Sequence, residues 1–142
     1  MNKAFLVGVS QLGVKGTLGS SHNPQILKYF RDIGHEWVKD DETAWCAAYL
    51  NWCLQRAGLP HTGKLNARSF LKYGDETTKP ILGDLAVLWR ISPTSAYGHV
   101  GFYLAEQKNY IFLLGGNQSN SVTVSAFPKS QVLGYRTRQD WF

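Results

Sequence analysis

Asp41-Glu42-Thr43-Ala44-Trp45-Cys46-Ala47-Ala48-Tyr49 is the stretch on which this chain turns. Acidic and hydroxyl residues lead into an alanine-rich run that continues to Arg56 and stops at Gly58-Leu59-Pro60. Acids suit the positive end of a helix dipole, and Thr43 or Asp41 offers an N-cap. Gly58 and Pro60 supply the stop. The pattern predicts a helix over residues 43–57 with Cys46 in its first turn, at the third helical position if Thr43 is the cap.

A cysteine at that place has two readings. One is a small buried hydrophobe. The other is a nucleophile, which attacks as thiolate and so needs a lowered pKa and a nearby base. The positive helix end favours the thiolate, and the free N–H groups of the first turn are able to hold an oxyanion. Cys53, further along the same predicted helix, has no such advantage and reads as core. Seven residues of helix set the two cysteines about 10 Å apart along its axis, beyond the roughly 7 Å Cα separation a disulfide tolerates, so both are expected as free thiols.

Working outward, Phe5, Val9 and Leu12 predict a short helix over residues 3–12. The glycine-rich stretch 13–21 lacks the spacing of a phosphate-binding loop. Asn23-Pro24 starts a second helix whose apolar face is Ile26, Leu27, Phe30 and Ile33, with Gly34 at its end. A further short helix is expected over 66–73. After Pro80 the pattern changes to strands, over 84–90, 99–104, 110–114, 121–127 and 132–137, separated by Gly, Pro, Asn or Ser. Residues 1–75 are mainly helical and 83–142 mainly β, which defines an α+β class and a single domain over 1–142.

His99 lies in Tyr97-Gly98-His99-Val100-Gly101-Phe102-Tyr103 and opens an apolar strand between glycines. Gly98 is expected to place the imidazole at a sheet edge with room for a substrate. A structural histidine is the alternative. A base histidine needs a partner that fixes its tautomer. Asn117, in Gly115-Gly116-Asn117, ends the next predicted strand and is the candidate, against its reading as a plain turn residue. His22 and His61 fall in loops, and His35-Glu36 has no second histidine at zinc-site spacing.

The chain carries a net charge of +5, compatible with an anionic polymer, but its Lys and Arg are scattered from Lys3 to Arg138. No basic stripe marks a nucleic-acid partner. No apolar run approaches the roughly 20 residues of a membrane span. The start, Met1 to Val9, is too short in its apolar run for a Sec signal, so synthesis in the cytoplasm is expected.

Taken in order, the Trp45-Cys46-Ala47-Ala48 helix start, Gly83-Asp84-Leu85, Gly98-His99-Val100-Gly101-Phe102 and Gly115-Gly116-Asn117 resemble the papain-like cell-wall cysteine peptidases and amidases of the NlpC and CHAP group. The likeness runs from about Leu12 to Tyr135. It implies a catalytic Cys at a helix N-terminus packed on a C-terminal antiparallel sheet. It implies Cys46 as nucleophile, His99 as base and then acid, and Asn117 as orienter. Trp45, beside the nucleophile, is expected either to wall the groove or to be a core residue of the helix, with Asp41 and Gly98 as further substrate-binding positions. Some relatives bind calcium; Asp40, Asp41 and Glu42 are weighed for this and read as helix-capping acids, with no metal and no cofactor required.

The function so implied is hydrolysis of an amide bond in peptidoglycan peptide, by a monomer without membrane insertion. Two routes to the wall fit: delivery by a secretion system, with an immunity protein as partner, or release through a holin as a phage-type endolysin. The alternatives are an inactive cell-wall-binding module and a cysteine protease or deamidase acting on a protein target.

Overall fold

The structure is a computed structural model, and it describes residues 2–17, 22–41 and 43–141. The glycine-rich stretch 13–21 is therefore described only in part, and Glu42 lies outside the described residues.

Three α-helices precede a six-stranded antiparallel sheet: α1 Lys3–Val9, α2 Pro24–Asp32 and α3 Cys46–Arg56, then β1 Asp75–Thr77, β2 Leu85–Trp89, β3 Gly98–Gln107, β4 Tyr110–Gln118, β5 Ser121–Pro128 and β6 Val132–Thr137. Short 3-10 helices at Ala67–Lys72 and Lys129–Gln131 complete the order. The strands lie in the order β1-β6-β2-β3-β4-β5. Thus β2 to β5 form a meander, and β6 returns to the far side of β2. The α+β class expected from the sequence is the one the chain adopts.

α1 differs from its expected packing. Asn2 caps it, its Oδ1 accepting from Ala4 N at 2.8 Å while its Nδ2 donates to Gly83 O at 2.8 Å. The buried positions are Ala4, Phe5 and Gly8, whereas Val9 is 39% and Leu12 50% exposed. The reason is Gly8: a Cβ there would stand 2.7 Å from Tyr49 Oη and 2.9 Å from the Phe102 ring. The smallest residue of the helix sets its inward face by allowing close approach.

α2 begins as its sequence indicates, with Asn23 Oδ1 accepting from Gln25 N at 2.8 Å and Pro24 at the first position. Ile26, Tyr29 and Phe30 bury against α3. α3 is buried at every position from Cys46 to Leu54. A helix apolar all round must be enclosed, and here α1, α2 and the sheet enclose it.

The sheet has two apolar faces. Val87, Val100, Phe102 and Leu114 point to the helices. Ala86, Leu88, Tyr103, Ile111 and Leu113 form a second cluster with Phe127 and Tyr135. β1 carries no hydrophobic signal, being Asp75-Glu76-Thr77; it forms by pairing its backbone with β6 at the sheet edge. Among the described residues no helix is long and apolar enough to cross a membrane.

Candidate active site

α3 starts three residues later than the sequence predicts. Asp40 Oδ1 accepts from Thr43 N at 2.7 Å and from Thr43 Oγ1 at 2.9 Å. That local bend holds Thr43 out of the helix and turns its hydroxyl toward Asp40. The N-cap is Trp45, which makes no side-chain cap bond, and Cys46 is the first helical residue. The dipole argument survives the shift, because the first helical residue lies closest to the free N–H groups.

The Cys46 thiol and the His99 imidazole lie near enough for each to draw the other toward its charged form. His99 is carried by β3, which lies between β2 and β4 rather than at an edge. The β3–β4 ladder runs from Gln107–Tyr110 to Phe102–Leu114. On its other side β3 stays paired with β2 through Val100–Val87 and His99–Leu88. The N–H groups of Val100, beyond the end of the β4 ladder, and of Ala47 favour the ionised form of the Cys46 sulfur. The parting of two central strands thus supplies the place where a helix start and a strand meet.

Burial alone would raise the Cys46 pKa, but the His99 hydrogen bond and charge, with the two backbone donors, outweigh it and hold the thiol below its ordinary range. For His99, burial acts to lower the pKa; its bond to Cys46, the thiolate charge and Gln118 together raise it above the ordinary imidazole value. Opposite shifts in one neighbouring pair favour the thiolate and the imidazolium over the neutral forms. Cys53 is the contrast: burial dominates and pushes its thiol far up. Both thiols are free, as expected.

The residue on the far side of the imidazole is Gln118, not Asn117. Gln118 Oε1 lies 2.9 Å from His99 Nε2. Its Nε2 donates to Thr123 O at 2.8 Å and Leu113 O at 3.2 Å, which fixes the amide oxygen toward the histidine. An oxygen that only accepts requires the proton on His99 Nε2. Nδ1 is then left for the thiol. Gly115 makes room for this, since a Cβ there would stand 2.3 Å from Gln118 Oε1.

The register explains the change of partner. β4 and β5 slip between Gly115 and Gln118, and Asn117 sits at φ 59°. Such a bulge reverses the alternation of side chains for the residues beyond it. Gln118 is turned onto the histidine and Asn117 is displaced to the rim of the neighbouring cavity.

Three expected substrate contacts change role. Trp45 is completely buried and packs on Tyr29 at 6.1 Å between ring centres, so it is core and not a groove wall. Asp41 is 2% exposed. It accepts from Asn23 N at 2.8 Å and Thr17 N at 2.9 Å, with His22 Nδ1 at 3.2 Å. It ties the loop before α2 to the loop before α3 and caps neither Cys46 nor a substrate. With its oxygens already facing donors, it does not fit a calcium ligand. Among the described residues no group of three His, Cys, Asp or Glu is placed for a metal. Gly98 is backed by Leu88 O, 2.8 Å from an ideal Cβ, and by Arg68; it permits strand and side chain to close on it rather than leaving space.

A cavity of about 380 Å³ opens on the His99 side, bordered by Trp89, Arg90, Asn117, Gln118 and Phe127. Phe127 lies over the imidazole with ring centres 5.1 Å apart. Cys46 is 6% exposed and does not border this cavity; His99 touches both.

The CHAP domain family matches residues 38–117, more than half of the chain and the whole interval from the bend before Cys46 to the bulge after His99. The chain belongs to this family, one of cell-wall peptidases and amidases. Among solved structures it is similar to a Staphylococcus aureus protein described as similar to lipoprotein, NLP/P60 family, at 15% identity and a TM-score of 0.55. That likeness covers 97% of this chain and 41% of the other, so the chain spans less than half of that protein's length. At this identity the likeness is one of fold, and it is the papain-like α+β fold. No curated protein matches the chain significantly.

Proposed function

We propose that this chain hydrolyses an amide bond of peptidoglycan peptide by nucleophilic catalysis at Cys46. The observation that carries the reading is the oppositely shifted Cys46–His99 pair with Gln118 fixing the far nitrogen. The thiolate adds to the amide carbonyl, and an S–C bond forms. The negative charge moves to the carbonyl oxygen, for which the free N–H groups at the start of α3 are the available donors. Imidazolium gives its proton to the nitrogen as the C–N bond breaks. Neutral His99 then takes a proton from water, whose oxygen releases the acyl group from sulfur. Gln118 takes the orienting role that the sequence assigns to Asn117.

Membership of the CHAP family supports the wall as substrate, and the +5 charge suits an anionic polymer. We place the enzyme at the wall after delivery as an antibacterial effector or release as a phage-type endolysin; an injection apparatus with an inhibitor gene, or a holin gene, beside its own would separate the two. The test of the chemistry is mass spectrometry of purified peptidoglycan after incubation with the protein and with Cys46→Ala. New amine and carboxyl ends only with the unaltered protein are expected, and their masses name the bond. Equal fragments from both proteins would sink the assignment. Binding without fragments from either would leave the wall-binding module.

A further inference from the structure

Six arginines occur in the sequence, and five of them are engaged within the fold. Arg31 and Arg56 meet Asp32. Arg68 donates to the carbonyls of Tyr97, Pro93 and Ser92. Arg136 donates to Leu71 O, and Arg138 pairs with Asp140. Arg90 alone, among the described residues, gives its guanidinium to no carboxylate, carbonyl or ring. It borders the cavity beside His99.

Among the described residues no Asp or Glu borders that cavity. The polar groups around Arg90 there are the amides of Asn117 and Gln131 and the hydroxyls of Ser119 and Ser125, while Trp89 and Phe127 provide apolar wall. A cation with neutral donors, no competing anion and an apolar side is complementary to a carboxylate on a short aliphatic or peptide stem.

The backbone that carries Arg90 is fastened on both sides. Arg90 N donates to Tyr97 O at 3.2 Å, and Ser95 Oγ donates to Arg90 O at 2.5 Å. Arg68 holds the loop beyond through three carbonyls at 2.9 to 3.1 Å. The next residue, Ile91, is β-branched yet sits at φ 70°, a strained conformation that persists only where its surroundings impose it. The cation is therefore presented from a rigid turn and not from a loose loop.

We propose that Arg90 and this cavity form the subsite that receives a free carboxylate of the peptide substrate, next to His99. The proposal rests on the amide-hydrolase reading and names what that site selects. Peptide bound there lies against the imidazole that protonates the leaving amine, so the carboxylate sets which amide reaches Cys46.

The test uses synthetic cell-wall stem peptides in which each carboxylate is converted in turn to a neutral carboxamide. kcat/KM is measured for each with the unaltered protein, Arg90→Gln and Arg90→Lys. One position is expected to discriminate acid from amide by about 10- to 100-fold, the size of a charge-assisted pair. Arg90→Gln should bring that ratio close to one, and Arg90→Lys should restore part of it. The same ratio is expected in Kd when the peptides bind to Cys46→Ala, a readout that needs no turnover. Discrimination that persists in Arg90→Gln, or no discriminating position at all, overturns the subsite. A loss spread equally over acids and amides, with a shifted alkaline limb, also overturns it and leaves Arg90 acting only through the charge of His99. An unaltered protein that binds with the expected ratio but cuts nothing would retain the subsite and fail the hydrolase reading.

Discussion

Gln118 Oε1 faces His99 Nε2 across 2.9 Å, and two backbone carbonyls hold the amide in that sense. The imidazole is thereby fixed with Nδ1 toward the thiol. Gln118→Ala should reduce kcat/KM by roughly 10- to 100-fold, mostly in kcat, within the usual range for general acid–base help. Because Gln118 also helps raise the His99 pKa, the alkaline limb of the pH profile should move to lower pH. Asn117→Ala should leave that limb in place. A limb that follows Asn117 instead would reverse the assignment.

The shifted pair fixes the shape of the pH profile. The proposed mechanism needs Cys46 ionised and His99 protonated. It should rise as pH climbs through the Cys46 value, which lies below the ordinary thiol range, and fall as pH climbs through the His99 value, above the ordinary imidazole range. The expected result is a bell with its plateau between the two. Initial rates of muropeptide release across pH 4 to 11, with thiolate absorbance read in parallel, check it. A single rising limb near the normal thiol pKa of about 8.5 would mean that no ion pair forms.

Much of this is legible in the sequence itself. Asn23-Pro24 announced α2, and the break after Pro80 announced the change from helix to sheet. Cys46 and His99 each have a plain structural reading when taken alone, and it is the ordered set with Gly83-Asp84-Leu85 between them that singles them out as candidates. What stayed hidden depended on contacts far apart in sequence. Gly8 sets the face of α1 only because Tyr49 and Phe102 lie against it. Asp41 reads as a cap until Thr17 and Asn23 are seen to donate to it. The bulge that puts Gln118 in place of Asn117 is a register event, and strand alternation has no local mark of a single slipped residue.

Asp41 gives a stability prediction. Burial would raise its pKa, but the N–H groups of Asn23 and Thr17 and the neighbouring His22 hold it at about 2. The folded value lies below the unfolded one, so its contribution is complete above about pH 4 and is lost as pH falls through the folded value. Asp41→Asn should destabilise the protein by about 1–3 kcal/mol at neutral pH, the range for bonds to a charged acceptor. It should also flatten the acid limb of stability between pH 4 and 2. Urea unfolding at stepped pH measures both. An unchanged acid limb in the variant would show that other carboxylates govern it.

Gly116 brings β4 against α3 at close range. A Cβ there would stand 2.8 Å from Tyr49 Cβ and 2.9 Å from the Trp45 ring, both within the buried core. Neither neighbour has space to retreat, since Trp45 also packs on Tyr29 and Tyr49 on Phe102. Gly116→Ala should therefore push the start of α3 away from β4, at a cost of about 1–3 kcal/mol. The same displacement acts on Cys46, the residue after Trp45, and loosens its bond to His99. Stability and thiol ionisation should thus fall together in this variant, whereas Gly8→Ala, which strains α1 at 2.7 Å from Tyr49 Oη, should lower stability with a smaller change in the thiol. Chemical unfolding paired with thiolate titration distinguishes them, and a Gly116→Ala protein that is less stable but titrates normally would show that the helix start is held by contacts other than this one.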